Sequence, residues 1–388
     1  MNQTLNIQVV KSANAFKALK ADWNSLYENA HETTIFSSWE WMFTWWEVFA
    51  DQFQRELHIL CLYQNNELVG IAPFQIDLVY PKSLIQGKTL RFIGSGEAYE
   101  DSITSESQDF IVKQGFETTV INCISEYLEA HKKLWDFADF QFIQPDALIL
   151  QCFTSSSTTI ARSARQEGVR FYIPDYEIPD DYVQSLGKRW RKMFAKKSRL
   201  IERDGTVSIQ STETLEAVKP ALTLLSDMHC SRWRAILGSC IFDSKRFYSF
   251  HEKILERLVP QKKAAIKTLM LNDKPLAAYY IFEDKGQVHY YQSGFYAEHA
   301  NRYSPLFLLV VNEIKTVIEQ GKKFDFMYDD AADSYKKRQY AASSEPMIRL
   351  FWTPQPLRLT IYNKSKSIKD KLSAIRETMR NKNKEKRG

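Results

Sequence analysis

The sharpest chemical signal in this 388-residue chain is a helix start at Pro305. Ser304 suits the N-cap and Pro305 the first helical position, while Gly321, Lys322 and Lys323 close the far end. A loop that feeds a helix N-terminus presents unpaired N–H groups and the positive end of the dipole, a natural cradle for pyrophosphate, and Arg302 stands beside it. His229 and Arg232, three apart and followed by Trp233, share one face of another helical segment and could line a cleft; the histidine equally suits a core position. Lys188, Lys192, Lys196, Arg199 and Arg203 recur at helical spacing between Tyr182 and Arg203, with Val183, Leu186, Trp190, Met193, Phe194 and Ile201 on another side. Such a basic stripe fits a solvated face, or a guide for a nucleotide cofactor or RNA. The sequence has no HExxH, Walker A, GxSxG or dinucleotide fingerprint, so zinc proteolysis, nucleotide hydrolysis and serine hydrolysis have no support.

The elements that must position these groups repeat along the chain. Residues 57–75 (LHILCLYQNNELVGIAPFQ) alternate like a strand, turn at Asn65-Asn66 and alternate again, which is a hairpin. Residues 264–282 (AAIKTLMLNDKPLAAYYIF) do the same around Asn272, Asp273 and Lys274. A third strand follows each hairpin, at Leu90 to Gly94 and at Val288 to Gln292, with Gly96 and Gly294 ending them alike. Next comes a helix in each half, Phe116 to Lys132 and Pro305 to Gln320, and then a strand, Trp135 to Ile143 and Lys323 to Tyr328. Helical material precedes both repeats, at Ala13 to Tyr27 and Ser38 to Ala50, and at Tyr182 to Arg203 and Leu215 to Val259. The order hairpin, strand, helix, strand therefore occurs twice, and the polar stretch Ser155 to Gly168 reads as the joint. This gives an α/β (α+β) fold with units at 1–160 and 161–362, followed by a basic tail at 363–388.

Length and composition agree with two globular domains. The densest apolar run, Leu306 to Val311, stops far short of a membrane span, and the N-terminus lacks the basic and apolar regions of a signal peptide, so a cytoplasmic location is expected. Five scattered cysteines without a CxxC predict reduced core residues, with neither a disulfide framework nor a metal site. The tail carries ten basic residues against Asp370, Glu377 and Glu385, whereas the rest holds 42 basic and 44 acidic residues. A partner for the tail, if it has one, is RNA or an anionic membrane surface; a solvated extension is the simpler reading.

The run LNDKPLAAYYIF, then VHYYQSGFYAEHANRYSPLFLLVVNEI, then GKKFDFMYDD and SYKKRQY, resembles the branch of the GNAT superfamily that includes CelD-like acetyltransferases and Fem-type peptidyltransferases. WNSLYENAHETTIFSSWEWMFTWWEVF and LRFIGSGEAYED are similar to that family's N-terminal half, so the likeness covers most of residues 20 to 340. It implies two GNAT-like domains in tandem, each a mixed β-sheet flanked by helices, and transfer of an acyl group, commonly from acetyl-CoA or another acyl-CoA, to an amine.

On the matching positions, the resemblance assigns Gln292, Arg302, Ser304, Pro305 and Leu306 to the cofactor. Lys336 would stabilise an oxyanion, Tyr335 would protonate the leaving group, and Asp325 would orient or deprotonate the amine. His229, Arg232 and Trp233, with Glu100 and Asp101 of the first half, would receive the acceptor. Leu306 stands where the family usually has glycine, and Asp329 to Asp333 lacks the usual glycine and adds carboxylates that repel polyphosphate and attract a cationic amine. The expected function is N-acyl transfer to a small-molecule, glycan or peptide amine, possible roles lying in polysaccharide or cell-envelope metabolism. The alternatives are a Fem-like transferase using aminoacyl-tRNA, the less favoured donor, and an inactive GNAT fold serving as a scaffold.

Overall fold

Asn65 and Asn66 both adopt left-handed backbone (φ 47° and 66°), as do Asn272 and Asp273 (φ 47° and 61°), so each pair forms the two-residue turn that matches strand twist. A computed structural model describes residues 5–30, 32–79, 87–152, 161–330 and 334–353; the basic tail and residues 331–333 of the acidic run lie outside the described residues. The first half runs β1 (Asn6–Val10), α1 (Ala13–Ala18), α2 (Lys20–Glu28), α3 (Trp39–Phe49), β2 (Glu56–Gln64), β3 (Glu67–Val79), β4 (Gly87–Phe92), β5 (Ile111–Val112), α4 (Glu117–Ala130), β6 (Phe137–Ile143) and α5 (Leu148–Cys152). The second runs β7 (Ala161–Tyr172), α6 (Pro179–Ser185), α7 (Lys188–Asp204), β8 (Val207–Ser211), α8 (Leu215–Leu237), α9 (Lys245–Leu258), β9 (Ala264–Leu271), β10 (Lys274–Asp284), β11 (Gln287–Phe295), α10 (Ala297–Tyr303), α11 (Pro305–Glu319), β12 (Lys323–Asp329), α12 (Tyr335–Tyr340) and β13 (Ser343–Thr353).

One mixed sheet has the order β1-β2-β3-β4-β6-β13-β7-β12-β11-β10-β9-β8, with β5 against β3. Among the described residues, only β4–β6 and β11–β12 pair in parallel. Folding this order about its middle superposes β2 on β9, β3 on β10, β4 on β11 and β6 on β12, which is the repeat expected from the sequence. At the centre one strand crosses between the halves: β7 pairs with β12 of its own half and with β13, and β13, the last described strand, pairs with β6 of the first. A ladder of buried charges reinforces this seam. Arg55 meets Asp77 (3.0 Å), Asp77 meets Arg91 (3.3 Å), Arg91 meets Asp139 (2.7 Å), Asp139 meets Arg349 (2.8 Å) and Arg349 meets Glu167 (3.2 Å), so each carboxylate that leaves water is paired. One apolar core joins α1–α3 of the first half to α8 and α9 of the second, and two further cores lie under α4 and under α11.

Several sequence expectations need correction. The helix read over Tyr182 to Arg203 is interrupted at Leu186-Gly187, where Leu186 (ψ 136°) and Gly187 (ψ 144°) are extended. Residues 215–259 form two helices parted at Gly238, whose left-handed φ of 76° suits a helix end, and residues 13–27 are likewise two helices meeting at Leu19. Gly294 lies inside β11 instead of ending it: a Cβ there would sit 2.6 Å from the His229 nitrogen, so glycine lets α8 lie directly on the strand. The stretch read as the joint is strand from residue 161 onward. Cys230 and Cys240, expected reduced, are joined in a disulfide that ties α8 to the segment before α9. Cys61 and Cys152 are buried thiols, as expected, and Cys123 is half-buried. No helix among the described residues is long and apolar enough to cross a membrane.

Candidate active site

The parallel pairing of β11 with β12 covers only Gln287–His289 against Lys323–Asp325, after which the strands diverge. Backbone groups freed by this divergence must find other partners, and the opening becomes a cleft of about 900 Å³ reaching both faces of the sheet. On one face it is lined by α11 and α12, on the other by α8 and a first-half loop around Ser102, Thr104 and Glu106. Its size is that of a small-molecule site.

At one side stands the N-terminus of α11. Ser304 is not the side-chain cap that its type suggests: it has φ 51° and ψ 52°, and its hydroxyl turns back to donate to the Ala300 carbonyl at 3.4 Å. Pro305 has no N–H, so Leu306 and Phe307 open the helix with donors that have no intrahelical acceptor, at the positive end of the dipole. Leu306 is half-buried and packs against the second-half core, so its side chain leaves the helix end on the cleft wall. This end can take an anionic group. Arg302 is elsewhere: exposed and outside the cleft lining, it is clamped to Asp204 with Nε at 3.0 Å, so it is already neutralised. Lys197 of α7 donates to the carbonyls of Asn301 (2.6 Å) and Arg302 (2.5 Å), which sets the basic helix beside this end of the cleft.

On the other face, His229 Nδ1 lies 2.8 Å from the Ser293 carbonyl. A carbonyl only accepts, so Nδ1 carries the proton and Nε2 keeps a lone pair; burial pushes the imidazole pKa down and holds it neutral. Arg232 and Trp233 line the cleft beside it, with the guanidinium 5.4 Å from the indole and 5.3 Å from the Phe295 ring. Gln292 is also in the wall. The first-half residues expected to receive the acceptor do not reach it. Glu100 is exposed and outside the lining, and Asp101 is buried at the junction of the halves, accepting from Ser244 (2.5 Å) and Gln52 (2.7 Å).

Tyr335 is half-exposed at the cleft wall. Lys336 lines the cleft and is only 8% exposed; Nζ donates to Phe326 O (3.0 Å) and Tyr328 O (3.3 Å) and lies 3.6 Å from Asp329. Burial lowers its pKa, against the pull of Asp329 and Glu106. Asp325 is absent from the lining and cannot touch an amine. It is 1% exposed, accepts from Gln287 (3.0 Å), Arg170 (3.3 Å) and the Met327 N–H (2.7 Å), and has His289 at 3.4 Å. Burial opposes its charge, but His289 and Arg170 outweigh that and hold its carboxyl below the usual range.

The residue missed from sequence is Glu106. It lies in the first half, is 2% exposed, lines the cleft and accepts the Tyr328 N–H at 2.8 Å. Burial, then the charge of Asp325, push its carboxyl up to about 8. Nothing in its polar neighbourhood, TSESQD, has a period that would mark it.

No curated protein matches the sequence. Among solved structures, FemX is similar over 92% of this chain and 99% of its own, at 12% identity and TM-score 0.59. L-PGS from Bacillus licheniformis is similar over 89% and 96%, at 13% identity and TM-score 0.51. A conserved protein of unknown function from Bacteroides thetaiotaomicron is similar over 89% and 99%, at 8% identity and TM-score 0.50. At these identities the likeness is one of fold. Residues 188–337 match the family model described as an acetyltransferase (GNAT) domain, which covers α7 through the start of α12 and so all the second-half walls of the cleft except Gln339 and Tyr340. Residues 188–337 are thus similar to a GNAT acetyltransferase domain, and the unit that precedes them has the same strand order.

Proposed function

We propose that the protein is an N-acyltransferase that moves an acyl group from an acyl-CoA to an amine across the β11–β12 opening. The observation that carries this reading is the cleft itself, which has an anion-cradling helix end on one face and an unprotonated imidazole nitrogen and a buried carboxyl on the other. Acyl-CoA supplies an activated thioester. The Leu306 and Phe307 N–H groups hold its pyrophosphate, and the positive charge of Lys336, whose Nζ bonds the Phe326 and Tyr328 carbonyls and faces Asp329, stabilises the developing oxyanion. His229 Nε2 orients the acceptor N–H, and Glu106 in its ionised form takes the proton released as the C–N bond forms. The C–S bond then breaks, and Tyr335 delivers a proton to the departing sulfur. A cationic acceptor suits the ionised form of Glu106 in the cleft wall. Calorimetry with acetyl-CoA and longer acyl-CoAs, followed by thiol release with a panel of amines, tests the proposal; absence of both binding and thiol release in the folded protein would overturn it.

A second reading, an acyl group carried on RNA, is favoured by one observation. Lys188, Lys192, Lys196 and Arg199 are solvent-facing to different degrees along α7, whose Lys197 grips the turn leading into α11. Salt-sensitive tRNA binding that is lost in Lys192→Gln/Arg199→Gln, with no acyl-CoA binding, would select it.

A further inference from the structure

Between Asp325 and Tyr328 the strand β12 is bulged, with Met327 at φ 62° and the register against β7 shifted. The bulge presents two consecutive N–H groups to two buried carboxylates: Met327 N–H to Asp325 at 2.7 Å and Tyr328 N–H to Glu106 at 2.8 Å. The carbonyls of Phe326 and Tyr328 are both taken by Lys336. One short stretch of backbone therefore ties a cleft residue from the first half to a residue of the second that never reaches the cleft.

Resting on the reading above, we propose that Asp325 is the positioning residue of Glu106: fixed on the adjacent N–H of the same bulge, its negative charge sets how tightly the Glu106 carboxyl holds its proton, without contact with substrate. Other groups facing Glu106 are Arg170 of β7, Lys336 of α12, Tyr291 of β11 and Tyr328 of β12, with Asp329 beyond Lys336. Arg170 and Lys336 act against Asp325, and burial acts with it. Asp325 keeps its charge because Arg170, Gln287, His289 and the Met327 N–H surround it. Removing that charge while retaining an acceptor for the Met327 N–H should release Glu106's proton at lower pH.

The test needs no acyl donor. Infrared spectra of the full chain are recorded from pH 5 to 10, and the protonated-carboxyl band that disappears in Glu106→Gln is titrated. Asp325→Asn should lower its midpoint by about one pH unit or more, a tenfold loss of proton affinity. If Asp325→Asn does not fold, Asp325→Ser, smaller and still an acceptor, carries the same expectation, and the parent alone decides the first step. A parent with no Glu106 band at pH 6, or an Asp325 variant whose midpoint stays within about 0.3 of the parent, overturns the proposal. A downward shift in a protein that binds no acyl-CoA leaves Asp325 as Glu106's partner and removes the acyl-CoA reading instead.

Discussion

Replacing Lys336 by methionine keeps the length of the side chain and deletes its donors. Two carbonyls, Phe326 O at 3.0 Å and Tyr328 O at 3.3 Å, then lose charge-assisted partners inside a bulge where water has little access. Hydrogen bonds to a charged group are worth about 1.5 to 3 kcal/mol each. Part of that is returned because a buried ammonium no longer has to be desolvated. We expect a net loss of about 1 to 3 kcal/mol, larger than the near-zero cost of removing an exposed lysine. Urea unfolding followed by far-UV circular dichroism and tryptophan fluorescence should show a lower midpoint at unchanged slope. Glu106, deprived of a nearby cation, should hold its proton to still higher pH. Turnover should fall by about 10² to 10³ with donor affinity nearly unchanged, the size of one lost transition-state donor. An unaltered urea midpoint would refute the bonding assigned to Lys336, and turnover within about twofold of the parent would refute its part in the chemistry.

Glu106→Gln should flatten the pH dependence of stability. A carboxyl with a folded value near 8, against about 4.5 unfolded, favours the folded state at low pH and loses that contribution as pH rises from 4.5 to 8, at up to about 1.4 kcal/mol per pH unit. Denaturation midpoints measured at pH 5 and pH 8 should therefore diverge more in the parent than in the variant. Gly294→Ala should destabilise the protein by about 1 to 3 kcal/mol, because the new methyl meets backbone of α8 at 2.6 Å and 2.9 Å, and calorimetric unfolding reads the loss. Tyr335→Phe should slow transfer less for acyl donors with better leaving groups, as measured by thiol release across a thioester series. Deleting residues 364–388 should leave the melting temperature unchanged; a large drop would show that Ile368, Leu372 and Ile375 dock on the body.

Local structure was legible wherever one residue type solves a local geometric problem. Asparagine and aspartate at 65–66 and 272–273 are the residues that tolerate left-handed turns, and alternation on either side sets the hairpins, so both repeats could be read. Pro305 likewise marked the start of α11. Pairings distant in sequence were not legible. Nothing in SSEPMIRLFWT indicates that it lies beside β6 rather than at an edge of its own half, because alternation defines a face and not a neighbour. The same limit hid the disulfide: a spacing of ten residues means nothing until α8 and the following turn bring Cys230 and Cys240 within 5.2 Å between Cα atoms. Of the site, His229 and Arg232 on α8 could be placed on one helical face and Pro305 marked the start of α11, whereas Tyr335 and Lys336 of α12 were reached only through the family resemblance. Glu106 sits on an irregular loop, and the role first given to Asp325 changed because burial depends on what covers a strand end.

The placing of β13 beside β6 has a consequence for the order of synthesis. Chain emerges from the ribosome N-terminus first, so β6 is complete some 200 residues before its neighbour β13 (Ser343–Thr353) leaves the exit tunnel. Until then β6 has β4 on one side and an open row of N–H and C=O groups on the other, beside the half-formed charge ladder at Asp139. A ribosome-bound chain stalled before residue 343 should thus be prone to strand addition by a neighbouring nascent chain and should recruit chaperones, whereas one that has released residue 353 closes that edge with its own β13.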